Sequence, residues 1–147
     1  MLMVSFSALA LLVLCTVLHY ETLRGLSYAL PRLDMPPRLK VVLALLGAYV
    51  AHTIEVLMYA FTIHWLAWRH GQGTIGDTDQ PSLMTCLYFA STTYTSLGYG
   101  DVIPTGPLKL FAGSMAMTGL LLIGWTAAYV YISMERFWEG DTKKSTG

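Results

Sequence analysis

The residues with the most evident chemistry form one short segment, TSLGYGD at positions 95–101, in which Gly98 and Gly100 bracket Tyr99. Glycine enters left-handed backbone conformations without steric cost. A backbone that alternates in this way can turn successive carbonyl oxygens toward one side, whereas an ordinary strand points them alternately. Rings of such carbonyls can replace the water shell of a dehydrated cation. The segment therefore predicts cation coordination by backbone oxygens.

The elements around this segment have the composition of a membrane protein. Of the 147 residues, 54% are hydrophobic and 12% are charged, and the mean hydropathy is +0.52. A soluble domain of this length is about a quarter charged. The long apolar runs therefore predict an integral membrane protein. The net charge of zero gives no reason to expect nucleic acid as a partner, and the spacing of Cys15 and Cys86 predicts neither a disulfide framework nor a metal site.

The first apolar run covers residues 1–18 and predicts a retained spanning helix. A cleaved signal peptide is the alternative, but it needs a basic leading region and a small-residue cleavage site. No Lys or Arg precedes Arg24, and no A-x-A pattern closes the run. A lipoprotein site at Cys15 would need a small residue before it, where the chain has Leu14. We expect residues 1–40 to form a first transmembrane helix and a polar, proline-broken cytoplasmic connector over 19–40.

An outer helix is predicted over residues 41–68, ending in Trp65 and Trp68, which suit a membrane interface. A polar loop separates it from a half-helix over 81–94 that leads into the glycine segment. Pro81 suits the first turn of this helix, where its missing N–H costs nothing. Two acidic residues are expected beside the positive end of the helix: Asp77 and Asp79.

Proline and glycine break the chain after the segment, and a third spanning helix is predicted over 107–134. Residues 135–147 are predicted to form a short charged cytoplasmic tail. The half-helix, the segment 95–101 and the two flanking spans together make one predicted unit over 41–135.

TSLGYGD, preceded by a half-helix and flanked by two spans, resembles the selectivity filter of potassium channels, usually written T-x-G-Y-G followed by Asp. The resemblance covers residues 41–135 and implies a homotetramer with the pore on its four-fold axis. One strand offers only one or two oxygens at any level, so symmetry must supply the rest. A tight turn between two helices is the alternative, which a lone G-x-G would favour.

The resemblance implies that backbone oxygens of the filter hold the ion, together with the hydroxyl at its first position. The implied ion-binding residues are Ser96, Leu97, Gly98, Tyr99 and Gly100. The expected supporting residues around the filter are Thr92, Thr93, Thr95, Tyr88 and Asp101.

The segment departs from the family pattern at three places. Ser96 replaces the usual Thr, and Leu97, expected to pack behind the filter, replaces the common Val. Tyr88 and Phe89 stand where many potassium channels have a buttressing tryptophan pair. Two interpretations of Asp101 stay open: it concentrates cations at the outer mouth, or it is tied back to Tyr88.

The distribution of Lys and Arg predicts the orientation in the membrane. Seven basic residues lie in the connector and tail: Arg24, Arg32, Arg38, Lys40, Arg136, Lys143 and Lys144. Only Arg69 and Lys109 lie on the opposite side. The positive-inside rule places the connector and carboxyl terminus in the cytoplasm, with the amino terminus and filter mouth outside a plasma (inner) membrane.

His52 and Glu55 lie one helical turn apart within the second span, and Tyr59 continues the same face. Charged groups in hydrocarbon cost about 2.5–3.5 kcal/mol on insertion scales, so they need a partner. At 1.5 Å per residue, His52 lies about 18 Å from Lys40 and Trp125 about 16 Å from Arg136, which places them at one depth. The indole of Trp125 or the hydroxyl of Thr126 is the predicted partner of Glu55.

Three interpretations of the His52–Glu55 pair stay open. It is a structural bond between the outer and inner helices, a proton-sensitive gate, or part of a metal site. Two ligands alone do not close the shell of a metal ion, so no metal other than potassium in the filter is expected.

Glycines punctuate the third span, and the resemblance places a bending glycine about twenty residues past the filter, nearest to Gly119. The alternative is close helix packing through small residues, including Gly119 and Gly124. If Gly119 takes the place of that bending glycine, four apolar residues are expected to face an inner cavity: Leu120, Ile123, Ala127 and Tyr131.

Together these features predict an all-α membrane protein with three transmembrane helices, a re-entrant pore helix and a selectivity filter. The predicted function is passive conduction of potassium, with other copies of the chain and the bilayer as partners and no cofactor. The alternative is a non-conducting or pH-sensing regulatory subunit that uses His52 and Glu55. No nucleophile–base pair or cofactor motif points to an enzyme.

Overall fold

The computed structural model of the chain describes residues 1–70, 72–76 and 80–145, and these are mostly helical. The helices are α1 (Leu2–Ala29), α2 (Pro37–His70), α3 (Leu83–Tyr94) and α4 (Leu108–Ser145), with a 3-10 turn at Leu30–Arg32. Three stretches are long and apolar enough to cross a membrane, and 18-residue windows within them have mean hydropathies of 2.3, 1.9 and 1.6: Leu2–Arg32, Pro37–Trp68 and Leu108–Phe137. The predicted all-α membrane protein with three spanning helices is confirmed.

The first helix is longer than predicted, and the connector after it is shorter. α1 continues to Ala29, so the prediction of a connector over 19–40 is wrong for residues 19–29. Charged residues do not stop this helix, because Glu21 and Arg24 pair across one turn at 3.3 Å. The helix ends just before Pro31, which has no backbone N–H to donate to a carbonyl one turn back. The chain tightens into the 3-10 turn and becomes extended at Leu33. The next helix resumes at Pro37, where a proline is accommodated in the first position.

The short helix α3 begins two residues later than the predicted start at Pro81. Ser82 caps it, because the Ser82 hydroxyl accepts a hydrogen bond from the backbone N–H of Thr85 at 3.1 Å. The side chain of His64 lies 3.1 Å from the carbonyl oxygen of Pro81 and fixes the chain before the cap. The acidic residues expected beside this end, Asp77 and Asp79, lie outside the described residues.

The inner helix α4 is also longer than the predicted span over 107–134. It begins at Leu108, directly after Pro107, and remains helical to Ser145. The predicted tail over 135–147 is therefore helical through residue 145. Glu, Arg and Lys are good helix formers, so the helix continues after the apolar stretch ends.

The four helices share one core. α2 and α4 contact each other, and each also contacts α1 and α3. The buried side chains between them include Tyr59, Ile63, Leu66, Phe111 and Met115. The rings of Tyr59 and Phe111 meet edge to face, with their centres 5.6 Å apart. This core fixes the short α3 against both long helices, so the end of α3 has a defined position.

The loops and termini identify two ends of the bundle. At one end the amino group of Met1 donates to the side-chain oxygen of Gln72 at 3.3 Å. The loop there pairs with the chain after the TSLGYGD segment, since the Thr105 N–H donates to the Thr74 carbonyl at 2.9 Å. At the other end the ammonium group of Lys40 lies 5.7 Å from the ring centre of Phe137. The amino terminus and the loop that follows the TSLGYGD segment share one end, and the connector shares the other with the later part of α4.

Candidate functional site

The glycine segment leaves directly from the carboxyl end of α3. The Ser96 N–H donates to the Thr93 carbonyl at 3.0 Å, and the N–H groups of Leu97 and Gly98 both donate to the Thr92 carbonyl, at 2.9 and 3.1 Å. These bonds satisfy the last carbonyls of the helix and fold the chain back over its end. The partial negative charge of a helix carboxyl end therefore lies beside the start of the segment.

The backbone of the segment alternates between left-handed and ordinary conformations. The φ angles are +58° at Ser96, +52° at Gly98 and +81° at Gly100, and the intervening Leu97 and Tyr99 do not have positive φ. Ser96 is the one non-glycine residue with positive φ in the described part of the chain. A left-handed non-glycine residue costs of order 1–3 kcal/mol. The sequence predicted alternation at the glycines but contained no signal that Ser96 would join it.

The side chains of the segment are exposed in the single chain. Leu97 is 58% exposed and Tyr99 is 67% exposed, so their own chain does not cover them. The expectation that Leu97 packs behind the filter therefore stays a prediction about an assembly of several copies. A β-carbon at Gly98 or Gly100 would meet nothing within 4 Å. The buried core residues stop at Tyr94 and resume at Leu108 in α4, so the segment between them lies outside the core.

The far end of the segment is tied back to α3. The hydroxyl of Tyr88 donates to Oδ2 of Asp101 at 2.9 Å, which is one of the two arrangements considered for Asp101. This hydrogen bond raises the pKa of the Tyr88 phenol. The ring of Tyr88 also stacks on that of Tyr99, with a centre distance of 6.3 Å and an interplanar angle of 2°. Tyr88 thus contacts both the last tyrosine of the segment and its acidic end.

Three threonines are expected to support the filter. Where their hydroxyl groups form hydrogen bonds, the acceptors lie in α3. The hydroxyl of Thr95 donates to the Ser91 carbonyl at 2.8 Å, and that of Thr92 donates to the Tyr88 carbonyl at 3.1 Å. The side chain of Thr93 is half-buried. The carbonyl of Thr92, rather than its hydroxyl, is the group that contacts the segment.

A second group of polar residues is buried between the four helices, and we call it the polar cluster: His19, His52, Glu55, Tyr94 and Thr126. Nδ1 of His52 lies 3.1 Å from Oε2 of Glu55, as the sequence spacing predicted. Nδ1 of His19 lies 3.0 Å from Oε1 of the same carboxylate. The Tyr94 hydroxyl donates to Glu55 and lies 2.9 Å from Nδ1 of His52.

The inner helix joins the polar cluster through Thr126, not Trp125. The Thr126 hydroxyl lies 2.9 Å from Nε2 of His52 and 3.1 Å from Nε2 of His19. The prediction that Trp125 or Thr126 satisfies Glu55 is wrong, because Tyr94 and the histidines surround that carboxylate. Trp125 packs against the ring of His19 at 5.7 Å and is 39% exposed. The prediction that this part of α4 lies at the same depth as His52 in α2 is nevertheless correct, because Thr126 contacts His52.

Sequence reasoning missed His19 and Tyr94. His19 falls just beyond the predicted end of the first span, and Tyr94 was assigned only as the end of the half-helix. A signal for His19 was present: it lies four residues after Cys15 and four before Leu23, and all three are buried. A histidine inside such a stripe faces the core.

The face of α4 that was predicted to line a cavity is exposed in the single chain. Leu120 is 64% exposed, Ile123 38% and Tyr131 67%. Gly124 has open space beside it, whereas a β-carbon at Gly119 would lie 1.9 Å from the carbonyl oxygen of Tyr94. Of the two interpretations of Gly119, the structure shows close packing.

These features define an integral membrane protein in which a short helix presents an exposed, left-handed backbone segment between two spanning helices. A family model described as ion channel matches residues 51–136, which is more than half of the 147 residues. The chain belongs to this family of two-span, potassium-channel-like ion channels. No characterised protein and no solved structure matches the chain in the corresponding comparisons.

Proposed function

We propose that the chain forms a homotetrameric channel that conducts potassium ions passively, with residues 96–100 as its selectivity filter. The observation that carries the proposal is the alternation of positive φ at Ser96, Gly98 and Gly100. An alternating backbone turns successive carbonyl oxygens toward one side, which is the arrangement a dehydrated cation requires. Family membership supports transport of ions rather than an enzymatic reaction.

The exposure of the segment supports assembly around a common axis. One chain supplies too few oxygens to replace the water shell of an ion, so several copies must contribute at each level. Leu97 and Tyr99 have no packing partner sufficient to bury them within their own chain, and the glycines between them stand in open space. Four copies would bring these surfaces together and bury them, and closed cyclic symmetry is the usual form of such assemblies.

The arrangement of the bundle ends supports one orientation. Met1 contacts Gln72 at the end that carries the filter loop, and Lys40 lies near Phe137 at the other. The basic residues of the connector concentrate at this second end. In our proposal it faces the cytoplasm of a cell with a plasma (inner) membrane, and the amino terminus and filter mouth face outside.

The test is ion flux into liposomes that contain the purified full-length protein. We expect potassium flux that follows the electrochemical gradient, greatly exceeds sodium flux and is blocked by barium. Native mass spectrometry of the same preparation should give four copies. Equal potassium and sodium flux would contradict the selectivity, and a stable dimer or monomer would contradict the pore.

The rival function is a non-conducting regulatory subunit built on the polar cluster. The same liposomes distinguish the two, because such a subunit gives no potassium flux at any pH or membrane tension. The packing of four helices around the buried Glu55 would suit either function. The alternating backbone at the glycines, in contrast, is needed only by a channel.

A further inference from the structure

The polar cluster contains more ligand chemistry than the His52–Glu55 pair that the sequence indicated. We propose that it binds a divalent transition-metal ion of the zinc type, with His19, His52 and Glu55 as ligands. Each residue offers one nitrogen or oxygen atom, and these atoms all lie within 4.8 Å of one another. Imidazole nitrogen and carboxylate oxygen are donors that zinc takes in proteins. The sequence indicated only His52 and Glu55, which are too few to hold a metal ion, and His19 adds a third ligand.

The distances around Glu55 fit an ion of this size. The Nδ1 atoms of His19 and His52 lie 3.0 and 3.1 Å from the two carboxylate oxygens. Ligands at roughly 2.0–2.1 Å from a tetrahedral zinc ion are about 3.3 Å from each other. To admit the ion, the two nitrogen–oxygen contacts must lengthen slightly, and any pair of ligand atoms that is wider than this, within the 4.8 Å limit, must move closer together. The hydroxyl of Tyr94 contacts both Glu55 and His52 and would supply the fourth ligand atom.

The number of polar hydrogens favours a cation in the polar cluster. Four contacts close a ring through Glu55, His19, Thr126 and His52. A carboxylate, two neutral imidazoles and one hydroxyl carry only three polar hydrogens for these four contacts. One contact would then bring two lone pairs together, and the ring would hold a net negative charge within the membrane-spanning helices. A metal cation between Glu55 and the Nδ1 atoms replaces both contacts to the carboxylate, places the two ring N–H groups at Nε2 and offsets the charge; an added proton on one imidazole would also complete the ring.

Thr126 is placed to accept a hydrogen bond from the ring nitrogen of each histidine that does not bind the metal. A histidine that binds a metal through one ring nitrogen donates the N–H of the other to a nearby acceptor. Oγ1 of Thr126 lies within hydrogen-bond distance of both Nε2 atoms, at 3.1 Å for His19 and 2.9 Å for His52. A hydroxyl oxygen has two lone pairs and can accept both hydrogens. The metal-bound cluster therefore satisfies both contacts between Nε2 and Thr126 without an added proton.

An ion can reach the polar cluster from the side of His52. The side chains of His19 and Glu55 are fully buried, whereas that of His52 keeps 18% of its surface exposed. His52 lines a cavity of about 460 Å³ that also contacts Tyr94 and Thr95, the first residue of the TSLGYGD segment. The cavity gives the ion a path to two of its ligands.

The proposed metal gives the first helix a specific role. α1 lies outside residues 51–136 that match the family, and it supplies only His19 to the proposed ligand set. A metal held by His19 and by two residues of α2 would clamp the additional helix to the pore unit. This inference does not depend on ion conduction and can be tested on protein that conducts nothing.

The test uses untagged full-length protein, stripped with a chelator and then equilibrated with zinc or, separately, with magnesium. Wild-type protein should retain one zinc ion per protomer after desalting and melt at a higher temperature than the stripped form, while magnesium has no effect. His19→Gln should lose the zinc and the shift. His64→Gln is the matched control, because His64 lies in α2 but contacts Pro81, and it should keep both.

Zinc retained by folded His19→Gln, or absent from wild type, would overturn the proposal and leave a metal-free cluster joined by one shared proton. If His19→Gln does not fold, X-ray absorption at the zinc edge of wild-type protein decides. Nitrogen and oxygen ligands at roughly 2.0–2.1 Å, including two imidazoles, are expected, and the absence of imidazole scattering would overturn the site. Thr126→Val keeps the three ligands and should weaken zinc binding about tenfold or more.

Discussion

The carbonyl oxygen of Tyr94 lies so close to Gly119 that a β-carbon on that glycine would come within 1.9 Å of it. The hydroxyl of the same tyrosine donates to Glu55 on the outer helix. The last residue of α3 is therefore held by its backbone against α4 and by its side chain against α2. Thr95 and the rest of the segment begin at this fixed point.

Gly119→Ala should destabilise the protein by about 1–3 kcal/mol. The new methyl group would collide with the backbone of Tyr94, which cannot move aside as a flexible side chain could. Gly124→Ala is the matched control in the same helix, since a β-carbon at Gly124 would meet nothing within 4 Å. The control should be neutral or up to about 1 kcal/mol more stable, as alanine is the better helix former. Thermal unfolding of both variants in detergent checks the difference, and equal melting temperatures would contradict the packing.

The hydroxyl of Tyr59 donates to the Thr118 hydroxyl at 3.1 Å, and the Thr118 hydroxyl donates to the Ser114 carbonyl. Thr118→Val should cost about 1–3 kcal/mol, because it leaves the buried Tyr59 hydroxyl without an acceptor. Tyr59→Phe should cost less, about 0.6 kcal/mol, as for typical hydrogen bonds between membrane helices. The double variant should be more stable than Thr118→Val alone. Denaturant unfolding measures all three, and additive losses would show that the two side chains do not interact.

The Tyr88–Asp101 hydrogen bond should stabilise the outer end of the filter. Tyr88→Phe and Asp101→Asn are each expected to lower the ratio of potassium to sodium flux in liposomes, because each loosens the segment at Tyr99. The two changes together should lower the ratio no further than the worse single change, since they remove one interaction. A double variant with the product of the two single effects would indicate that each residue acts separately.

Gly98→Ala should abolish potassium flux while tetramers still form. At a φ of +52° an alanine is strained by about 1–2 kcal/mol, and its methyl group enters the space between copies. Gly113→Ala is the control, because Gly113 has ordinary φ and open surroundings; its flux should match wild type. Normal flux through Gly98→Ala would remove residues 96–100 from the conduction path.

Local patterns in the sequence predicted the spanning helices and the half-helix, but not their ends. The stop at Ala29 depends on Pro31. The predicted stop at residue 18 gave too much weight to the charged residues of the connector, such as Glu21 and Arg24, which α1 includes as an ion pair. The start of α3 depends on the side chain of Ser82 rather than on Pro81. Helix ends follow from individual capping contacts, which apolar patterns do not reveal.

In the candidate site too, the features that are local in sequence could be predicted, and those that depend on helix packing could not. The glycine segment is continuous in sequence, so the left-handed backbone at Gly98 and Gly100 could be predicted from residue type, whereas that at Ser96 could not. The polar cluster is assembled from four helices, and only the His52–Glu55 contact lies within one turn. His19 and Thr126 are 107 positions apart, and their meeting depends on how α1 and α4 pack against α2. Trp125 was a reasonable partner by depth, but the rotation of α4 turns Thr126 inward instead.

The most direct measurement is the structure of the assembled protein in rubidium, whose anomalous scattering locates the permeant ion. The account predicts four copies around one axis, with rubidium peaks on that axis at the level of the carbonyl oxygens of residues 96–99. Ions absent from the axis, or carbonyl oxygens turned away from it, would contradict the proposed filter.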